Sequence, residues 1–267
     1  MPVQRACRIV HLSRAAYYRP PVPILERDAP VIAALNAVIE RRPRMGFWKC
    51  VDRVRQSFHP WNHKRIYRVY TAMGLNQPRK SKKRLPARLR QSLEAPPELN
   101  RTWALDFMSD ALYGGRKFRT LNILDEGNRE GLGIDIAISI PSRRVVQQLE
   151  ELVSLHGPPT GIRVDNGPEF LADEFVDWCK GMEIAIRYIQ PGKPDQNAYI
   201  ERFNRSYRQD VLDAFVFGSL DEVRLATREW LKDYNTERPH DSLGRVPPLT
   251  FLPRETSLRE YAFELST

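Results

Sequence analysis

Residues 161–190 read GIRVDNGPEFLADEFVDWCKGMEIAIRYIQ. Gly161–Val164 suits a brief strand, which Asp165 ends at a tight Asn166–Gly167 turn. Asp173–Met182 has helical spacing, and Ile184–Ile189 is a second β-type run. Strand, helix and strand in so short a stretch point to a sheet with helical connections. Upstream lie three more β-type runs, Trp103–Phe107, Lys117–Leu124 and Gly131–Ile138. Pro141 and Ser142 then open a helix with Val145, Val146, Leu149, Leu152 and Val153 on one face and Gly157 beyond its end. Downstream, Gln196–Leu212 is a longer helix, and Ser219 with Glu222 forms a capping-box start for a last helix reaching Tyr234. The order predicts an α/β fold, a mixed sheet covered by helices.

The front of the chain has a different character. Pro30–Arg42, CVDRVRQSF (50–58) and His63–Leu75 are three helical candidates. In the third, Ile66, Val69, Tyr70 and Met73 share one face, while Lys64, Arg65 and Arg68 share another. An apolar back with a basic front is how a helix-turn-helix meets DNA, and also how a plain three-helix unit keeps a soluble surface. The division expected is a helical region over 1–78, a basic, Pro-containing linker over 79–100, the α/β core over 101–255 and a tail over 256–267.

Charge follows that division. The net +9 of the 267-residue chain splits into +15 over residues 1–100 (21 Lys/Arg, 6 Asp/Glu) and −6 over the rest. Within Arg79–Arg90 seven of twelve residues are basic, among them Lys82, Lys83 and Arg84. Such a run repels itself until phosphates neutralise it, or is merely a solvated linker. Three widely spaced cysteines make no disulfide framework and no CxxC metal site. His59 and His63 lack a CxxC partner, so zinc is not expected. The chain shows no run of the ~18 apolar residues that a membrane span needs. A cytoplasmic protein, nucleoid-associated when bound to DNA, is the expectation.

Three stretches carry chemistry: WALDFMSD (103–110), IRVDNGPEF (162–170) and PGKPDQNAYIERFNRSYR (191–208). Asp106 lies in a strand, Asp165 ends one, and Glu201 lies in a helix with Asn197 one turn earlier. Thirty-five residues separate Asp165 from Glu201. Carboxylates from different elements can converge on one small site, and Mg²⁺ prefers such oxygen ligands. Spacing alone does not separate Asp106 from Asp110, Asp125 or Asp135. Asp165 also suits a turn former and Glu201 a solvent-facing helix residue. Glu169 reads as a supporting carboxylate and Phe170 as core.

In this order, with SRAAYYRP near the start, KRIYRVYTAMGL, LNILDEGNRE and YNTERPHDSLG (234–244), the stretches resemble insertion-sequence transposases of the insertion sequence 3 type. The likeness is to the product of the second reading frame (OrfB), whose catalytic core is similar to that of retroviral integrases. The resemblance implies an RNase H-like fold and a D-D-E triad at Asp106, Asp165 and Glu201. It also implies Mg²⁺ or Mn²⁺ as cofactor, two ions held by the three acids. The implied reaction is strand cleavage at element ends followed by strand transfer into target DNA. The implied partners are double-stranded DNA, further copies of the chain and an upstream-frame (OrfA-type) protein.

Around the triad, Lys193, Gln196, Asn197, Arg202 and Arg205 are candidates for positioning DNA, or alternatively a polar loop and helix surface. His240 in RPHDSL reads as a structural polar residue. Two other classes share these features. A DNA-binding repressor with an inert core would use the basic front, and a hydrolase of RNA–DNA hybrids would use the same fold and metals.

Overall fold

The computed structural model describes residues 2–18, 24–43, 45–57, 59–76, 96–190 and 197–257. Lys82, Lys83, Arg84, Lys193 and Gln196 lie outside them, as do most of the linker and the end of the tail. The chain divides into two compact units, the first within residues 1–77 apart from 42–44, the second comprising 42–44 and the chain from 78 onward.

The first unit holds α1 (Val3–Ile9), α2 (Arg14–Tyr18), α3 (Ile24–Arg41), α4 (Phe47–Gln56) and α5 (His63–Ala72). Val31 and Leu35 of α3 meet Cys50, Val51 and Val54 of α4 and Ile66, Val69 and Tyr70 of α5 in one buried cluster. The apolar spacings in all three helices therefore face inward as expected. Helix α5 begins at Asn62, whose side chain accepts a hydrogen bond from the Lys64 N–H at 2.9 Å. Helix α3 starts well before Pro30, the residue expected to open it. Its early turns are anchored by tertiary contacts: Asp28 is buried and pairs with Arg65 (3.2 Å) and Arg68 (2.8 Å) of α5. That attachment outweighs the single hydrogen bond that a proline costs inside a helix.

The second unit is built on a five-stranded sheet. Its strands are β1 (Thr102–Ala111), β2 (Lys117–Asp125), β3 (Gly131–Ala137), β4 (Gly161–Val164) and β5 (Ala185–Tyr188), in the order β3-β2-β1-β4-β5. β1 pairs antiparallel with β2 and parallel with β4. β2 pairs antiparallel with β3, and β4 parallel with β5. β1 runs four residues past the expected Phe107 because its ladder to β2 continues to the hairpin, ending with Ala111 opposite Lys117.

Strand alternation sorts residues between two cores. Trp103 and Leu105 face α6 (Ser142–His156) and α8 (Asp173–Gly181), packing with Val145, Leu149, Phe175 and Cys179. Ala104 and Leu124 face the opposite side, against Ile200, Phe203 and Tyr207 of α9 (Ala198–Tyr207) and Trp230 of α10 (Leu220–Thr236). Half of the expected capping box is present: Ser219 Oγ accepts from the Glu222 N–H at 3.3 Å, while the Glu222 carboxylate accepts one residue earlier, from the Gly218 N–H at 2.8 Å. Such a sheet, with helices on both faces, is the RNase H-like arrangement.

A buried polar lattice closes the far end of the sheet. Arg254, 4% exposed, follows α11 (Pro248–Phe251) and pairs with Asp125 and with Glu130 (2.7 Å) at the β2–β3 turn, and donates to Asn100 Oδ1 at 2.8 Å. Asn235 of α10 exchanges two hydrogen bonds of 2.9 Å with the backbone of Gly131. Among the described residues no helix is long and apolar enough to cross a membrane.

Candidate active site

Four aspartates in or beside the first three strands competed for one role, and their surroundings separate them. Asp110 pairs with Arg208 (3.1 Å), Asp125 with Arg254, and Asp135 with Arg144 through bonds of 2.6 and 2.8 Å. Asp106 has no such cation among the described residues. It projects from the middle of β1 toward α9, where the Asn204 side-chain amide donates to Oδ2 at 2.7 Å. The Phe107 N–H donates to Oδ1 at 2.9 Å. Burial pushes the Asp106 carboxyl up to about 6, and the charges of Asp165 and Glu201 push the same way, against the two hydrogen bonds.

Asp165 follows β4 directly, and its Oδ1 accepts from the Gly167 N–H at 3.0 Å, the turn expected from Asn166–Gly167. Gly167 leads into α7 (Pro168–Leu171), a short helix not anticipated from the spacing. Glu169 of α7 pairs with Arg119 of β2, whose guanidinium lies 4.2 Å from the Phe107 ring centroid. Phe170 is buried against Phe107 and Phe175. Glu169 thus ties the turn bearing Asp165 to the central sheet. Glu201 is exposed on α9, one turn before Asn204.

Strand end and facing helix thus place Asp165 and Glu201 where their charges act on Asp106 at the strand centre. Among the described residues no three Asp, Glu, His or Cys side chains close around a point where one ion would sit. The donor chemistry nonetheless fits a hard divalent cation: all oxygen, no guanidinium among them, and one carboxyl burdened by two like charges.

Of the other expected site residues, Arg202 and Arg205 are exposed one turn apart on α9. Asn197 is buried at the start of that helix, with Oδ1 lacking a hydrogen-bond partner among the described residues. In the first unit Lys64 is exposed, but Arg65 and Arg68 are engaged with Asp28. His240 rests its ring edge-on against Tyr234, with Nε2 3.3 Å from the Tyr234 carbonyl oxygen. Two residues of the site were not anticipated. Asn204 was findable three residues after Glu201 on the same helix face. Asn122 stands opposite Asp106 in the β1–β2 register, and its Nδ2 donates to Asn204 Oδ1 at 2.7 Å.

Two Integrase core domain family models match the chain, over residues 96–194 and 182–248. The Insertion element IS476 uncharacterized 39.2 kDa protein of Xanthomonas euvesicatoria is 38% identical over 93% of this chain and 71% of its own length. The chain belongs to the insertion-element transposases with an integrase core. The transposase family includes more distant relatives: the putative transposase for insertion sequence element IS986/IS6110 of Mycobacterium tuberculosis is 24% identical over 69% of this chain and 72% of its own length. Among solved structures, the catalytic core domain of BIV integrase matches this transposase with a TM-score of 0.46 and 19% identity, over 61% of this chain and 99% of that one.

Proposed function

We propose that this transposase is a D-D-E polynucleotidyl transferase whose Asp106, Asp165 and Glu201 hold two divalent cations, Mg²⁺ or Mn²⁺. The observation that carries this is the environment of Asp106: among the described residues it has no arginine of the kind that each competing aspartate has, and the charges of two further acids act on it. When bound, such ions would activate the attacking oxygen and stabilise the leaving one. The chain's own residues fix the geometry. β1 holds Asp106 at the sheet centre, the Arg119–Glu169 pair steadies the turn bearing Asp165, and α9 presents Glu201. The reaction is cleavage of a phosphodiester at an element end by water, then attack by the freed 3′-hydroxyl on target DNA. Arg202 and Arg205 supply positive charge beside Glu201 for the strands.

The helical first unit contacts double-stranded DNA through the exposed side of α5, with Lys64 at its start. Lys82, Lys83 and Arg84, Lys193, Gln196 and Asn197 extend the DNA contacts in this reading. Further copies of the chain, and an upstream-frame protein, complete the assembly on paired ends. The test is cutting and joining of end-containing DNA by purified protein with Mg²⁺ or Mn²⁺. Full activity in Asp165→Asn or Glu201→Gln would overturn the mechanism.

A further inference from the structure

We infer that Asn122 is a positioning residue for Asp106, acting through Asn204; the inference rests on the reading of Asp106 as a metal-holding acid. Asn122 is fully buried in β2, directly opposite Asp106, on the face lined by Ala104, Leu124 and Phe203. Its Nδ2 donates to Asn204 Oδ1 and Asn204 Nδ2 donates to Asp106 Oδ2, both at 2.7 Å. A carboxylate accepts hydrogen bonds only, whereas an amide offers oxygen at one end and NH₂ at the other. With its oxygen held by Asn122, Asn204 can turn only its NH₂ toward Asp106. Because Phe107 N–H holds Oδ1, both Asp106 oxygens are then fixed in direction, each with a lone pair left for an ion.

The other end of Asn122 shows what this arrangement costs. Its Oδ1 is buried with no hydrogen-bond partner among the described residues, a penalty that an apolar side chain of similar size avoids. Leucine would remove that unpaired oxygen but would also take the donor from buried Asn204 Oδ1, so the two penalties roughly offset, and the service that asparagine adds is the orientation of Asn204. Groups that orient metal ligands typically change metal affinity or activity 10–100-fold when removed, about the size expected here.

The experiment compares the full chain with Asn122→Leu, Asn204→Leu and the double variant. The readouts are the metal-free melting temperature, Mn²⁺ affinity from electron paramagnetic resonance titration, and kcat and KM for end cleavage. Asn122→Leu should leave the chain cooperatively folded with little change in melting temperature, weaken Mn²⁺ binding about tenfold or more, and lower kcat with KM for DNA unchanged. The double variant should lose no more Mn²⁺ affinity than Asn204→Leu alone, since one residue acts through the other. Should leucine lower the melting temperature by overpacking, Asn122→Val removes the amide with less bulk and must show the same loss. Wild-type Mn²⁺ affinity in the folded Asn122 variant, or losses that add in the double variant, overturns the inference alone. No Mn²⁺ binding by the unaltered chain, or full binding by Asp165→Asn, overturns the acid-trio reading and the inference with it.

Discussion

Arg254 and Asp125 form a buried ion pair that joins the segment after α11 to the turn between β2 and β3. Burial pushes the Asp125 carboxyl up, against the hydrogen bonds and charge that favour its ionised form. Removing one partner of such a pair leaves an uncompensated charge in the interior. Arg254→Met should therefore cost about 3–5 kcal/mol in urea unfolding. A loss below about 1 kcal/mol would mean that water or a neighbour takes over the role of the guanidinium.

Two groups should give opposite stability slopes in one pH window. His156, with Nδ1 2.8 Å from Thr256 Oγ1, is pushed down from 6.5 to about 4, first by burial and then by the charge of Arg254. Between those values the unfolded chain binds more protons, so stability present above pH 6.5 is lost as pH falls toward 4. Asp106 is pushed up from 3.8 to about 6, so the folded chain binds more protons there, and stability present below 3.8 is lost as pH rises toward 6. Each effect is at most roughly 3 kcal/mol, and they offset between pH 4 and 6. In metal-free protein His156→Asn should uncover the falling slope and Asp106→Asn the rising one. Urea unfolding across that range, with unchanged profiles in both variants, would refute the assignment.

Gly131 is the glycine with the least room on β3. A Cβ there would lie 2.6 Å from Leu231 Cδ1 and 2.7 Å from Phe203 Cε2, whereas at Gly133 the nearest atom is Leu152 Cδ1 at 3.8 Å. Gly131→Ala should cost about 1–3 kcal/mol by overpacking. Gly133→Ala should stay within about 0.5 kcal/mol. Equal thermal shifts for the two would contradict this packing.

In the first unit, exposure and pairing divide the basic residues of α5. Lys64→Ala should lower the slope of log affinity against log salt by about 1 and leave the melting temperature unchanged. Arg65→Ala should lower the melting temperature, because it takes a partner from buried Asp28. Fluorescence anisotropy at several salt concentrations, paired with circular dichroism melts, separates the two. A Lys64→Ala chain with the parent salt slope would move the DNA contact elsewhere.

Much of this was legible in the residues. The three β-type runs that became β1 to β3, the helical spacing of α6 and α8, and the Ser219 start of α10 follow from local sequence, and the structure keeps them. Tertiary pairing was not legible. Helix α3 overruns Pro30 because Asp28 finds partners on a helix more than thirty residues away. Asp110, Asp125 and Asp135 each pair with an arginine, 9 to 129 positions distant, and apolar periodicity carries no sign of such pairs. Asn122 was hidden for the same reason: its meaning comes from standing across the ladder from Asp106.

The ladder between β1 and β4 is also where the sheet ends its support of the site. The parallel pairing covers Thr102, Trp103 and Ala104 against Gly161, Ile162 and Arg163, and stops short of both Asp106 and Asp165. Beyond those three rungs, β2 holds Asp106 through its ladder, and β5 holds the strand that ends before Asp165. The spacing of the two carboxylates is therefore set by separate neighbours, like two shelves hung from different walls, and not by a rung between their own residues.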